Sequence, residues 1–141
     1  MTKSIRRINV FNRQRAHPVE TGALRGFLQR LADRLNAPAG FSVVLISDRA
    51  MRQYQSRFSD NDEPTDVLSF PSEESGEEEP YLGDILISVD TAARQTDGGL
   101  EAEVQALSLH GLLHLMGYDH QVDDGEMERL ERELRKEFEL R

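Results

Sequence analysis

Residues 100–120 read LEAEVQALSLHGLLHLMGYDH. From Ala106 onward the stretch is almost wholly apolar, which predicts a helix over Leu100 to Met116 that is covered on most sides rather than lying at a surface. Such a helix needs layers around it, and the flanking sequence supplies them. Upstream, Ile8 and Val10 alternate with polar neighbours, predicting a strand over residues 5 to 11. Leu24, Phe27, Leu28, Leu31 and Leu35 then form one stripe of a helix that begins at Thr21 and stops at Asn36 and Pro38. Phe41 to Ile46 is a short β-branched run, a buried strand, after which Asp48 is read as the N-cap of a helix carrying Met51, Tyr54 and Phe58. Asp66 to Phe70 and Gly83 to Val89 are two more strands. The five glutamates between Glu73 and Glu79 cannot be buried together, so the connection between those strands is a solvated loop or hairpin. Beyond Asp90 three helices follow, interrupted at Gly98-Gly99 and from Gly117 to Gly125. The last carries Met127, Leu130, Leu134 and Phe138 on one face and Glu128/Arg132 and Glu131/Arg135 pairs on the other. The expected fold class is α/β (α+β): a small mixed sheet of about four strands packed with about five helices, in one domain spanning residues 1–141.

Composition narrows the function. The chain has no cysteine, which excludes disulfides, thiolate metal ligands and a cysteine nucleophile, so any metal is held by His, Asp or Glu. No apolar run approaches the roughly 20 residues that cross a bilayer, and the start, MTKSIRRINVFNRQ, lacks the apolar core of a signal peptide. No membrane role and a cytoplasmic location are expected. The net charge of −9 argues against nucleic acid only as an average. Residues 1 to 57 hold 11 Lys plus Arg against 3 Asp plus Glu, whereas residues 58 to 141 hold 6 against 23. The basic half can present a local patch to a polyanion, although solvated helix faces account for the same pattern.

Three of the four histidines fall within eleven residues. His110 and His114 lie four apart, which on a helix puts both rings on one face with about 5–6 Å between Cβ atoms. Gly117 can end the helix in a left-handed conformation and turn the chain back, bringing His120 toward the same point. Three imidazoles without a fourth protein ligand describe a catalytic zinc site with an open position for water rather than a structural one. Satisfied core histidines and a coincidental third are the competing account. The glycine turn before His120, and Gly111 accepted inside a helix at roughly 1 kcal/mol relative to alanine, favour the metal. The spacing matches HExxHxxGxxH of metzincin proteases at every ligand position, yet Gly111 stands where those enzymes place their glutamate base. Peptide hydrolysis by that route is therefore disfavoured.

HGLLHLMGYDH at 110–120, EPTDVLSFP at 63–71 and GDILIS at 83–88 together resemble the YbeY family of bacterial endoribonucleases, in the same order and over most of the chain. The resemblance implies a metal held by His110, His114 and His120, metal-dependent cleavage of single-stranded RNA, and a part in 3′-end maturation of small-subunit ribosomal RNA and in ribosome quality control, with the ribosome as partner. One position departs from the family pattern: an arginine five residues before the proline of PTDVLSFP is replaced by Ser59, while Phe58 and Asp62 keep their places. Arg57, or Arg52 a little over one helical turn earlier, is the candidate replacement for RNA handling.

A zinc-like ion lowers the pKa of its bound water to about 7 or polarises a phosphate oxygen, so no glutamate is required. The ribose 2′-hydroxyl is the rival nucleophile. Asp119, beside the third histidine, either orients an imidazole, accepts a proton or caps a turn. Thr65 and Asp66 form the entry to a strand beside the site. Zinc suits histidine-only ligation, although nickel, copper and iron also accept imidazole. The alternatives are a zinc peptidase with a different base and a ribosome assembly factor without catalysis.

Overall fold

The computed structural model describes residues 6–58, 65–72, 80–96, 98–119 and 121–140. Four strands, β1 (Ile8–Asn12), β2 (Gly40–Ile46), β3 (Val67–Pro71) and β4 (Tyr81–Ser88), and five helices, α1 (Thr21–Leu35), α2 (Asp48–Phe58), α3 (Val89–Gln95), α4 (Leu100–Leu115) and α5 (Glu126–Glu137), bear out the expected class. The sheet runs in the order β1-β2-β4-β3. β1 and β4 lie parallel to β2, and β3 pairs antiparallel to β4 as an edge strand, with Val67 opposite Ile87 and Pro71 opposite Gly83. The acidic segment 73–79 between the two members of this hairpin lies outside the described residues.

Alternation along the strands sorts the layers. Ile8, Phe41, Val43, Leu45, Ile85 and Ile87 point to one face and form the main core with α1, α4 and α5. Val44, Ile46, Leu68, Phe70 and Leu86 point to the other, where Met51 and Ala50 of α2 pack in a smaller cluster. α4 is buried along almost its whole length, including Ala106, Leu109, Leu112 and Leu113, as its unbroken apolar sequence requires. α5 closes the outside through Met127 and Leu134, with Phe138 edge-on to Phe27 at 5.3 Å.

Helix ends follow local chemistry, with two corrections. α1 stops where Asn36 turns left-handed at φ 54°. α2 is capped by Ser47, whose Oγ accepts the Ala50 N–H at 3.2 Å, and not by Asp48. Asp48 sits in the first turn instead and accepts hydrogen bonds from Ser88 and Thr91 while pairing with Arg94 at 2.8 Å. Burial alone would raise the Asp48 carboxyl, but those three partners outweigh it and hold it down at about 2. The strand expected to reach Val89 ends at Ser88, which caps α3 by accepting the Thr91 N–H. On α5 the Glu128/Arg132 pair forms at 3.1 Å, whereas Glu131 turns inward toward α4.

Candidate metal and RNA site

α4 carries His110 and His114 on one face, and their Nε2 atoms lie 3.1 Å apart with the rings nearly perpendicular. Two imidazole nitrogens sharing one tetrahedral zinc at about 2.0–2.1 Å lie about 3.3 Å apart, so the pair fits a common ion. Behind His110, Glu131 of α5 holds Nδ1 at 3.0 Å. A proton kept on Nδ1 by that carboxylate leaves Nε2 with its lone pair facing His114, the tautomer a metal ligand needs. The hydrogen bond with Glu131 raises the His110 pKa; burial opposes this, the Glu131 and Asp66 charges add to it, and Arg135 works against it.

The helix ends as the sequence predicts. Gly117 adopts φ 100°, its N–H bonding to the His114 carbonyl at 3.0 Å, and Tyr118 N–H bonds back to Leu113. His120 lies outside the described residues, as do Ser59 and Asp62. Among the described residues no group of three His, Asp or Glu side chains suited to a metal is formed. Asp119 caps the turn after the helix: its Oδ1 accepts the Gln121 N–H at 3.0 Å, and its side chain is exposed.

His110 and His114 open into a cleft of about 470 Å³, bounded on one side by β3 through Ser69 and Pro71 and on the other by Tyr118 and Asp119. Gly111 explains how the helix comes so close to the sheet. A Cβ there would stand 2.6 Å from Ile85 Cγ2 and 3.1 Å from Ser69 Oγ, while Ser69 donates to the Gly111 carbonyl at 3.2 Å. The position equivalent to the protease glutamate thus faces β4 and has no room for any side chain. Thr65 bonds to the Val67 carbonyl, and Asp66 accepts from Gln95 at 2.8 Å, so both serve the entry to β3.

Arg52 and Arg57 are exposed on α2, which packs on the opposite face of the sheet. Neither lines the histidine cleft. Glu131 is the site residue that the sequence pattern hid, because a Glu–Arg pair four apart on an amphipathic helix looks like solvated surface. Ser69 was hidden as an alternate residue of a strand, and no pattern in the sequence distinguishes it.

The family model described as Endoribonuclease YbeY matches residues 9–139. The chain belongs to the YbeY family. Curated YbeY relatives include a Geobacter metallireducens endoribonuclease, 38% identical over 94% of this chain and 93% of its own length. One from Thermus thermophilus is 45% identical over 72% of this chain and 77% of its own. A solution structure from Thermotoga maritima superposes with a TM-score of 0.60 over 94% of this chain and 92% of that one, at 24% identity, and supports the YbeY-like fold.

Proposed function

We propose that the chain is a zinc-dependent endoribonuclease of single-stranded RNA, one domain over residues 1–141, acting in the cytoplasm on the 3′ end of small-subunit ribosomal RNA and in ribosome quality control. The observation that carries the metal-dependent reading is the convergence of His110 and His114 Nε2 at 3.1 Å, backed by Glu131. His110, His114 and His120 are the proposed ligands. When bound, the ion supplies Lewis acidity to the scissile phosphodiester and lowers the pKa of water. Glu131 keeps the His110 proton on Nδ1, and the Ser69 hydroxyl ties β3 to the helix so that the cleft keeps its width. Arg57 and Arg52 are proposed phosphate contacts along the strand's path, and Asp119 is a proposed proton acceptor at the cleft mouth.

Gly111 opposes a peptidase that takes its base from the position after the first histidine, since no side chain fits there, and a peptidase with a base elsewhere is the rival that the assay separates. The test is to incubate the protein with single-stranded RNA and with casein, each with and without chelator. Chelator-sensitive cleavage of RNA alone is the expected result. Turnover of casein, or of neither substrate, would sink it. The product ends name the nucleophile: 2′,3′-cyclic phosphate follows ribose attack, and 5′-phosphate follows attack by water.

A further inference from the structure

The face of the sheet opposite α4 is only partly covered by α2. There Phe11, Val44, Phe70 and Leu86, with Tyr54 from α2 and Asp84, bound a second groove of about 400 Å³. Its walls are aromatic and open: Phe11 is 42% exposed and Tyr54 40%. The Tyr54 and Phe70 rings lie 6.3 Å apart, tilted by 49°, and the Arg13 guanidinium stands 5.5 Å from the centre of the Phe11 ring. Asp84 lines the same groove, and its Oδ1 receives the Tyr81 hydroxyl, which also bonds to Ser42 Oγ at 2.8 Å. Among the described residues, Asp84 Oδ2 makes no hydrogen bond.

An apolar side chain of a partner protein would suit the rings but would desolvate Asp84 Oδ2 without bringing it a donor. A nucleobase satisfies all three features at once. Bases stack on exposed aromatic rings whatever their sequence, a guanidinium meets the adjoining phosphate, and a carboxylate oxygen accepts from an exocyclic amino group. Adenine, guanine and cytosine carry that group; uracil does not.

We propose that this groove is a base-binding subsite for single-stranded RNA, with a base stacked on Tyr54 and Phe11, its amino group donating to Asp84 and its phosphate against Arg13. The subsite rests on the RNA reading above and extends it in space. β3 is shared by both clefts, since Phe70 lines the groove while Ser69 and Pro71 line the histidine side. A strand that crosses this edge meets a recognition surface on one face and the histidines on the other.

The experiment is fluorescence anisotropy of the full chain with labelled decamers of cytidine and of uridine in chelator, each variant first matched to the parent in circular dichroism and melting midpoint. The cytidine decamer should bind the parent several-fold more tightly. Tyr54→Ala should weaken both decamers about tenfold and Tyr54→Phe neither, because the stack needs only the ring. Asp84→Ala should bring cytidine down to the uridine level. Parental affinity in Tyr54→Ala and Phe11→Ala, or a cytidine-to-uridine ratio that Asp84→Ala leaves unchanged, would overturn the proposal and leave the groove to a protein partner. Cleavage is scored separately with zinc: stacking-dependent binding without cleavage defeats the nuclease reading alone, and cleavage with ring-independent binding defeats the subsite alone.

Discussion

Glu131 of α5 grips His110 of α4 through both carboxylate oxygens, at 3.0 and 3.1 Å from Nδ1, although the two stand 21 positions apart in the chain. The pair is half-hidden, the two side chains being 29% and 20% exposed, so water competes weakly for the bond. Its effect is to keep the His110 proton on Nδ1 and leave Nε2 turned toward His114.

Glu131→Gln should therefore weaken zinc binding about 10–100-fold, the usual cost of losing a carboxylate behind a metal-ligating histidine. Competition against a chromophoric chelator measures it. Parental affinity in the variant would remove Glu131 from the site.

His114→Ala should stay folded, lose stoichiometric zinc and lose RNA cleavage together. Elemental analysis of untagged protein beside a gel assay reads both. A variant without zinc that still cuts RNA would separate the histidines from the reaction.

Gly111→Ala should destabilise the protein by about 1–3 kcal/mol, because the new methyl meets Ile85 at 2.6 Å. Gly22→Ala, in α1, has nothing within 4 Å and should gain about 0.4–1 kcal/mol. Urea midpoints at unchanged slope test the opposite signs.

Asp48 predicts an acid limb of stability. Its folded pKa of about 2 lies below the ordinary value of 3.8, so its contribution is complete above about pH 4 and is lost as pH falls toward 2. The amount is about 1–2 kcal/mol, reduced from the full linkage because Arg94 is 61% exposed. Urea titrations from pH 6 to 2 should show this loss, and Thr91→Val should flatten it.

Arg57→Ala should lower RNA cleavage several-fold and reduce the salt dependence of binding by about one counterion. Wild-type kinetics at all salt concentrations would retire it as a phosphate contact.

The element order was legible because each strand and helix carries its own period. Leu24 to Leu35 follow a helical stripe, and Ile8 and Val10 a strand alternation, without help from the rest of the fold. α4 was legible for the opposite reason, since a helix with no polar face is stable only inside. What could not be read were relationships across long stretches of chain. His17 meets Asp90 at 3.0 Å across 73 residues, and Asp90 also accepts the Asp48 N–H at 2.8 Å, a tie that decides where α2 begins relative to α3. Nothing local announces such a bond. Aspartate after a strand suits an N-cap, yet Ser47, one residue before Asp48, has the right reach for the Ala50 N–H and takes the role. At the candidate site the histidine pair was legible as a spacing, and Gly111 as a departure, but the reason for the glycine appears only when β4 is laid beneath it.

The missing side chain at Gly111 acts as a gauge of layer thickness. With helix backbone resting on Ile85, the height of both imidazoles above the sheet is fixed by one van der Waals distance, so a bulkier neighbour at that contact would lift the pair bodily and detune it without altering either ring.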